Sequence, residues 1–233
     1  VVGTEEEPVP DIWIQEHLYK DLKKASGGRG PRIVHGTYET FQMGGEYKSK
    51  NIPELDLFEL SDKLKTSLKE IGLGQNKPLL IFGYSMGGVV AKILLNKDPE
   101  MAKNTKGIVF FVCPHFGSDL RDDTFSQLGE MISGMNRFIS QQSIEDDEFV
   151  NFFLDKLDIS KTANFLISED RKENLANIND EFKKYDINSM SIIEGKQVYF
   201  SKTGHHYYVV KPESAYWPGS EKVVIEDKNH FQC

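Results

Sequence analysis

Apolar positions in this 233-residue chain follow two alternating rhythms. Leu57, Leu60, Leu64, Leu68 and Ile71 recur at helical spacing with charges between them, and Gly72 and Gly74 supply stop signals. The run Pro78-Leu-Leu-Ile-Phe-Gly83 is short and unbroken, as a strand buried on both faces of a parallel sheet requires. Val89, Val90, Ile93 and Leu94 then return to helical spacing as far as about Lys97, and Gly107-Ile-Val-Phe-Phe-Val-Cys113 predicts a second buried strand. Ser191–Glu194, Tyr207–Val210 and Val223–Ile225 predict three more short strands. Near the start, Trp13, Ile14, Leu18 and Leu22 fit a short amphipathic helix, which Gly27–Pro31 breaks before a strand beginning at Arg32-Ile33-Val34. Residues 1–12, acidic and with two prolines, read as an irregular entry. The long segment 119–190 is polar and acidic, with apolar clusters at Phe149, Phe152, Phe153 and Leu157, and reads as several helices inserted before the sheet resumes. Strands alternating with helices imply an α/β fold of three layers, a mostly parallel sheet covered on both faces. No internal repeat or low-complexity tract interrupts the pattern.

Composition narrows the picture. The chain is 39% hydrophobic and 27% charged, the profile of a globular domain, and residues 1–233 are expected to form one domain belonging to a longer chain. A net charge of −8 argues against a nucleic-acid footprint and against strong electrostatic attraction to anionic membranes, though apolar contacts with a lipid stay open. Cys113 and Cys233 form neither a disulfide framework nor a metal-ligand spacing, which favours a reducing compartment. No stretch approaches the roughly 20 apolar residues that span a bilayer.

Candidate chemistry centres on Gly83-Tyr84-Ser85-Met86-Gly87, a Gly-x-Ser-x-Gly pattern between an apolar strand and an amphipathic helix. In that context the serine sits in a strained tight turn that lifts its hydroxyl above the sheet edge, and small flanking residues avoid collision with neighbouring backbone. The Met86 N–H and the helix N-terminus then face any oxyanion that forms. This is the nucleophile elbow of the α/β-hydrolase fold, whose chain order is serine, acid, histidine. His17 and His35 precede the serine and fail that order. His115 follows the second strand too early, and His205 and His206 lie in a turn that begins at Gly204. His230, a short loop beyond the last predicted strand, stands where the base belongs. For the acid, Glu194 at a strand end ranks first and Glu213 second, while Asp227 suits a loop brace.

The stretches Lys77–Lys92 and Asn104–Ser118 resemble the serine active site-containing protein family, lipase-like α/β hydrolases related to the GPI inositol-deacylase group. Tyr208–Ala215, Asn229-His230 and Trp13–Asp21 are similar to the same family, and 119–190 diverges. The resemblance implies Ser85 as nucleophile, His230 as base and Glu194 as acid, with Tyr84 and His115 (in Pro114-His115-x-Gly117-Ser118) in the site wall. It also implies a second oxyanion donor from an upstream His-Gly strand end. His35-Gly36 matches that only superficially, so the true element is expected before Val1, and a closing helix after His230. The fold is therefore expected to be truncated at both ends, and the isolated chain to be poorly stable or inactive even if the parent is an enzyme. The resemblance further implies a lipid-ester substrate such as phosphatidylglycerol, phospholipid remodelling, and association with mitochondrial and endoplasmic-reticulum membranes through parts outside this chain.

The expected activity is ester hydrolysis or acyl transfer through an acyl-Ser85 intermediate, with no metal or cofactor and no nucleic acid. Two rivals stand beside it: a noncatalytic adaptor that keeps the fold, and a thioesterase or deacylase acting on a protein or GPI anchor.

Overall fold

A computed structural model describes residues 19–25, 27, 57–74, 78–117, 171–200, 205–230 and 232–233. Its helices are α1 (Tyr19–Ala25), α2 (Leu57–Glu70), α3 (Met86–Lys97), α4 (Pro99–Asn104), α5 (Arg171–Lys183) and α6 (Pro212–Ala215). Its strands are β1 (Leu79–Tyr84), β2 (Thr105–Phe111), β3 (Ser189–Glu194), β4 (Val198–Phe200), β5 (His205–Tyr207) and β6 (Glu221–Ile225).

Strands β1, β2, β3 and β6 form one sheet in that order, and every pairing in it is parallel. Tyr84 lies opposite Phe111, Phe111 opposite Ile192 and Ile192 opposite Val223, so the C-terminal ends of the strands line one edge. In open α/β sheets that edge is where ligands bind. The apolar stretch of α3 anchors the core: Val89, Val90, Ile93, Leu94 and Leu95 are all buried. Each such side chain contributes about 1.5–3 kcal/mol relative to exposure. Helices α2 and α5 pack against α3, which itself lies on β1. Among the described residues no helix is long and apolar enough to cross a membrane. The strand–serine–helix turn and the parallel sheet expected of an α/β fold are both observed.

Details differ where local chemistry overrides the pattern. The second strand is Thr105–Phe111 rather than Gly107–Cys113, because Val112 takes φ 43° and turns the chain out of the strand. The helix α4 was not expected. Asp98 caps it by accepting the Met101 N–H at 3.1 Å, and Pro99 supplies its first turn. Tyr207–Val210 does not form a strand of the main sheet. Only Tyr207 is in a strand, and β5 pairs with β4 in a separate antiparallel hairpin, while Val209 and Val210 leave the ladder and bury their side chains. His205 and His206 accordingly lie in β5 and not in a turn. Of the 119–190 segment only 171–190 is described; it holds α5, and β3 begins at Ser189, two residues before the expected Ser191. The expectations for Trp13–Leu18, Arg32–Val34, His35-Gly36 and the Phe149–Leu157 clusters lie outside the described residues.

Two glycines make a paired prediction. A Cβ at Gly83 would lie 2.6 Å from the Gly88 Cα and 2.9 Å from its nitrogen, so no rotamer change relieves the clash. At Gly107 the nearest atom is the Leu80 Cδ1 at 2.9 Å, the movable end of a side chain. Gly83→Ala is expected to cost about 1–3 kcal/mol of unfolding free energy in urea titration. Gly107→Ala should stay within about 0.5 kcal/mol of the parent.

Candidate active site

Ser85 occupies the N-cap of α3, where a serine hydroxyl ordinarily accepts a helix N–H. Here it makes no capping bond, and its backbone sits at φ 48°, ψ −126°, a conformation that costs a non-glycine residue of order 1–3 kcal/mol. The turn is held from both sides: Ser85 N–H donates to the Phe111 carbonyl at 2.8 Å, and Gly88 N–H to the Ser85 carbonyl at 3.1 Å. Gly88 is tight as well, since a Cβ there would lie 2.5 Å from the Cys113 Sγ. The hydroxyl is thus left for another partner. His230 Nε2 lies 3.2 Å from it. As the first residue of α3, Met86 carries an N–H with no intrahelical acceptor, the donor an oxyanion at Ser85 would use.

The loop carrying His230 is strapped to the end of β3. Gly195 N–H donates to the carbonyls of Ile225 and Lys228 at 3.0 and 3.2 Å, and Lys196 N–H to that of Lys228 at 3.0 Å. Only glycine fits at 195, where a Cβ would lie 2.5 Å from the Glu226 Cα. Tyr84 adds a strap across the sheet edge by donating its hydroxyl to the His230 carbonyl at 2.7 Å. Burial, with the Glu194 carboxylate adding to it, pushes the Tyr84 phenol well above its usual 10.0, so it stays a donor.

Glu194, the last residue of β3, points its Oε1 to within 3.8 Å of His230 Nδ1. That is an ion-pair distance rather than a hydrogen bond. Oε1 accepts the Val210 N–H at 2.9 Å, and Oε2 is buried with no hydrogen-bond partner among the described residues. Ser85, His230 and Glu194 are each 0% exposed, so charge arising among them is felt at low dielectric. Glu213 is exposed in the first turn of α6, and Asp227 is exposed beside Lys228 at 3.6 Å. The structure therefore gathers Ser85, His230, Glu194, Met86 and Tyr84 at one edge and does not bring Glu213 to them.

His115 lies in the Cys113–Gly117 turn after β2, buried, with Lys92 Nζ 2.6 Å from its Nδ1. Burial, reinforced by Lys92, holds the His115 imidazole well below 6.5, which keeps it neutral. Burial also lowers Lys92 to about 7 and raises the Cys113 thiol to about 12, so the thiol is inert. Sequence reasoning passed over Lys92. The available signal was that α3 is apolar around its whole circumference, which leaves a lysine in it no solvated face. Among the described residues no group of His, Cys, Asp or Glu could hold a metal ion.

No family model matches the chain. The resemblance read from the sequence is borne out among curated proteins. The chain is 40% identical to Protein SERAC1 of Danio rerio over 72 residues, 28% of this chain and 11% of that protein. It is 37% identical to Protein SERAC1 of Homo sapiens over 68 residues, 27% of this chain and 10% of that one. The match thus spans about a tenth of those relatives' length. Similar solved structures include the Bacillus licheniformis lipase BlEst2 in mature form, with TM-score 0.45, 14% identity and coverage of 76% of this chain and 68% of that one. Naproxen esterase (carboxylesterase NP) from Bacillus subtilis gives TM-score 0.43, 13% identity and coverage of 78% and 62%.

Two measurements check this geometry. Tyr84→Phe removes one hydrogen bond from the His230 loop and is expected to cost about 1 kcal/mol, with faster amide exchange confined to residues 226–230. For Lys92, the folded pKa of about 7 lies below the ordinary 10.5. Between those values the unfolded chain binds the proton that the folded chain has released, so this group's contribution to stability rises with pH from 7 upward. Cys113, Lys183 and His115 face Lys92 and are retained in Lys92→Met, where burial, the larger cause at both, still holds the His115 imidazole down and the Cys113 thiol up. The difference in urea midpoint between parent and Lys92→Met should therefore shift in the parent's favour between pH 6 and pH 9.

Proposed function

We propose that this chain is a serine hydrolase or acyltransferase that acts on an ester through an acyl-Ser85 intermediate. One observation carries the reading: a serine in N-cap position and strained backbone, uncommitted to capping, 3.2 Å from a buried imidazole nitrogen. A structural Gly-rich turn needs neither the strain nor the histidine.

Ser85 Oγ forms a bond to the ester carbonyl carbon while its proton passes to His230 Nε2. The oxygen that gains charge is met by the Met86 N–H at the start of α3. Collapse breaks the carbon–alkoxide bond, and the departing alcohol takes the proton from His230. Water, or a second alcohol in acyl transfer, then releases the acyl group by the reverse proton route. Glu194 stabilises the imidazolium from the Nδ1 side, and the 3.8 Å separation closes to a hydrogen bond once His230 carries charge. Because Ser85 is fully buried, substrate entry involves a local opening. For the substrate we propose a lipid ester, a phospholipid of the phosphatidylglycerol kind, on the strength of the sequence resemblance, and by the same reasoning a parent protein peripheral to mitochondrial or endoplasmic-reticulum membranes.

The test is labelling of the parent protein with a fluorophosphonate, followed by turnover of a short-chain p-nitrophenyl ester. One adduct at Ser85 is expected, absent in Ser85→Ala. Ser85→Ala and His230→Ala are each expected to lower kcat by roughly 10³-fold or more, with melting temperatures close to the parent. Glu194→Gln should lose far more activity than Glu213→Gln. Absence of a Ser85-dependent adduct sinks the hydrolase reading and leaves a noncatalytic adaptor; equal losses at 194 and 213 sink the assignment of the acid.

A further inference from the structure

Lys92 is fully buried in the middle of α3, with no path for its ammonium to reach water. An ammonium has three N–H donors and no acceptor. Two of them meet lone pairs, His115 Nδ1 at 2.6 Å and Asn179 Oδ1 at 2.7 Å. The third side is closed by the Trp217 ring, whose centroid lies 3.8 Å from Nζ, with the Phe110 and Phe182 rings at 5.3 and 5.8 Å. Asn179, on α5, completes a circuit by donating Nδ2 to the His115 carbonyl at 2.8 Å. From the other side, His115 N–H donates to the Ser214 carbonyl at 3.0 Å and Phe116 N–H to the Ser214 Oγ at 3.2 Å.

We propose that Lys92 is a positioning residue for the chemistry at Ser85, a strut that locks the Cys113–Gly117 turn onto α3 and fixes the His115 ring with its proton on Nε2. The part that concerns the reaction rests on the serine-hydrolase reading. Three observations carry it. A charged Lys92 can only donate, so the Nδ1 it meets must hold the lone pair. The turn it grips begins just past Phe111, whose carbonyl accepts the Ser85 N–H at 2.8 Å, and the helix it belongs to starts at Met86. Lys92 therefore ties together the two segments that bracket the nucleophile. Finally, a methionine or leucine would fill the same space without the cost of burying a cation, so stability alone gives no reason for an ammonium there.

His115 Nε2 is buried without a hydrogen-bond partner among the described residues. The strut thus leaves one imidazole N–H aimed at a place where the described residues supply no acceptor, in the turn beside the nucleophile.

The experiment compares the full chain with Lys92→Met and Asn179→Ala at pH 6. Long-range ¹H–¹⁵N imidazole spectra report the His115 tautomer, and fluorophosphonate labelling and p-nitrophenyl ester turnover report the reaction. The parent should show one His115 tautomer, protonated on Nε2. Lys92→Met should show a mixed or reversed tautomer, with kcat lowered roughly tenfold and KM changed less than twofold. An Nδ1–H tautomer in the parent, or an unchanged tautomer and unchanged kcat in Lys92→Met, overturns the proposal. Should Lys92→Met fail to fold, Asn179→Ala decides on the same two readouts. A parent that does not react with fluorophosphonate overturns the hydrolase reading, and the tautomer comparison still decides the strut.

Discussion

The rest of the candidate site depends on the contact between Gly83 and Gly88. With no side chain at either position, the end of β1 and the start of α3 touch backbone to backbone, and a single methyl at 83 would drive into the Gly88 Cα at 2.6 Å. This contact forces the reversal between strand and helix into one residue. That residue must take a left-handed φ, and it is a serine. The strain at Ser85 is therefore imposed by packing, with buried aliphatic residues of α3 holding the helix down on the sheet. Once the reversal is that tight, the hydroxyl stands at the C-terminal edge of the sheet. The parallel register then delivers the ends of β2, β3 and β6 to the same edge.

Parallel register also explains why the candidate site was largely legible in the sequence. A strand buried on both faces reads as an unbroken apolar run, and its C-terminal end can be placed within two residues. The ends of Leu79–Tyr84, Ser189–Glu194 and Glu221–Ile225 were visible from their apolar residues. Leu80 and Val224 are nonetheless exposed, so β1 and β6 are not buried on both faces as a fully covered strand would be. Ser85 just past β1, Glu194 at the end of β3 and His230 in the loop after β6 inherit their positions from the sheet rather than from local propensity. Val112 was not legible. A β-branched residue at φ 43° contradicts every local preference, and it is held there by its buried side chain and an N–H bond to the Ile192 carbonyl at 2.8 Å, both long-range effects. A lysine in an all-apolar helix was a legible signal, but its partners were not, for a related reason: Asn179 and Trp217 come from chain segments 87 and 125 residues away, and Asn179 sits on a helix with little apolar periodicity.

The two buried ionisable clusters near the sheet edge use opposite strategies. Glu194, a carboxylate, is met by one backbone N–H and faces an imidazole; Lys92 is met by two lone pairs and aromatic faces. Neither forms a close carboxylate–ammonium pair, which would be self-contained and chemically quiet. Each instead faces a histidine ring, one in the loop after β6 and one in the turn after β2.

In the segment Tyr207–Val210 burial again overrides local pattern. Its aromatic and β-branched residues satisfy every compositional sign of a strand, and in a ladder the Val210 N–H would be spent on a neighbouring strand. The chain instead leaves β5 at Tyr207, buries Val209 and Val210 in the core, and turns the freed Val210 N–H to Glu194 Oε1 at 2.9 Å. β-Branched residues here serve burial, not pairing. Ending the strand early is what supplies the carboxylate with a donor, because a buried glutamate without one would be expelled or neutralised. The same donor draws on Oε1, the oxygen that faces His230, and so holds Glu194 at 3.8 Å from the imidazole instead of collapsed onto it. The carboxylate is thus braced by the backbone, and the His230 ring keeps its Nε2 3.2 Å from the Ser85 hydroxyl.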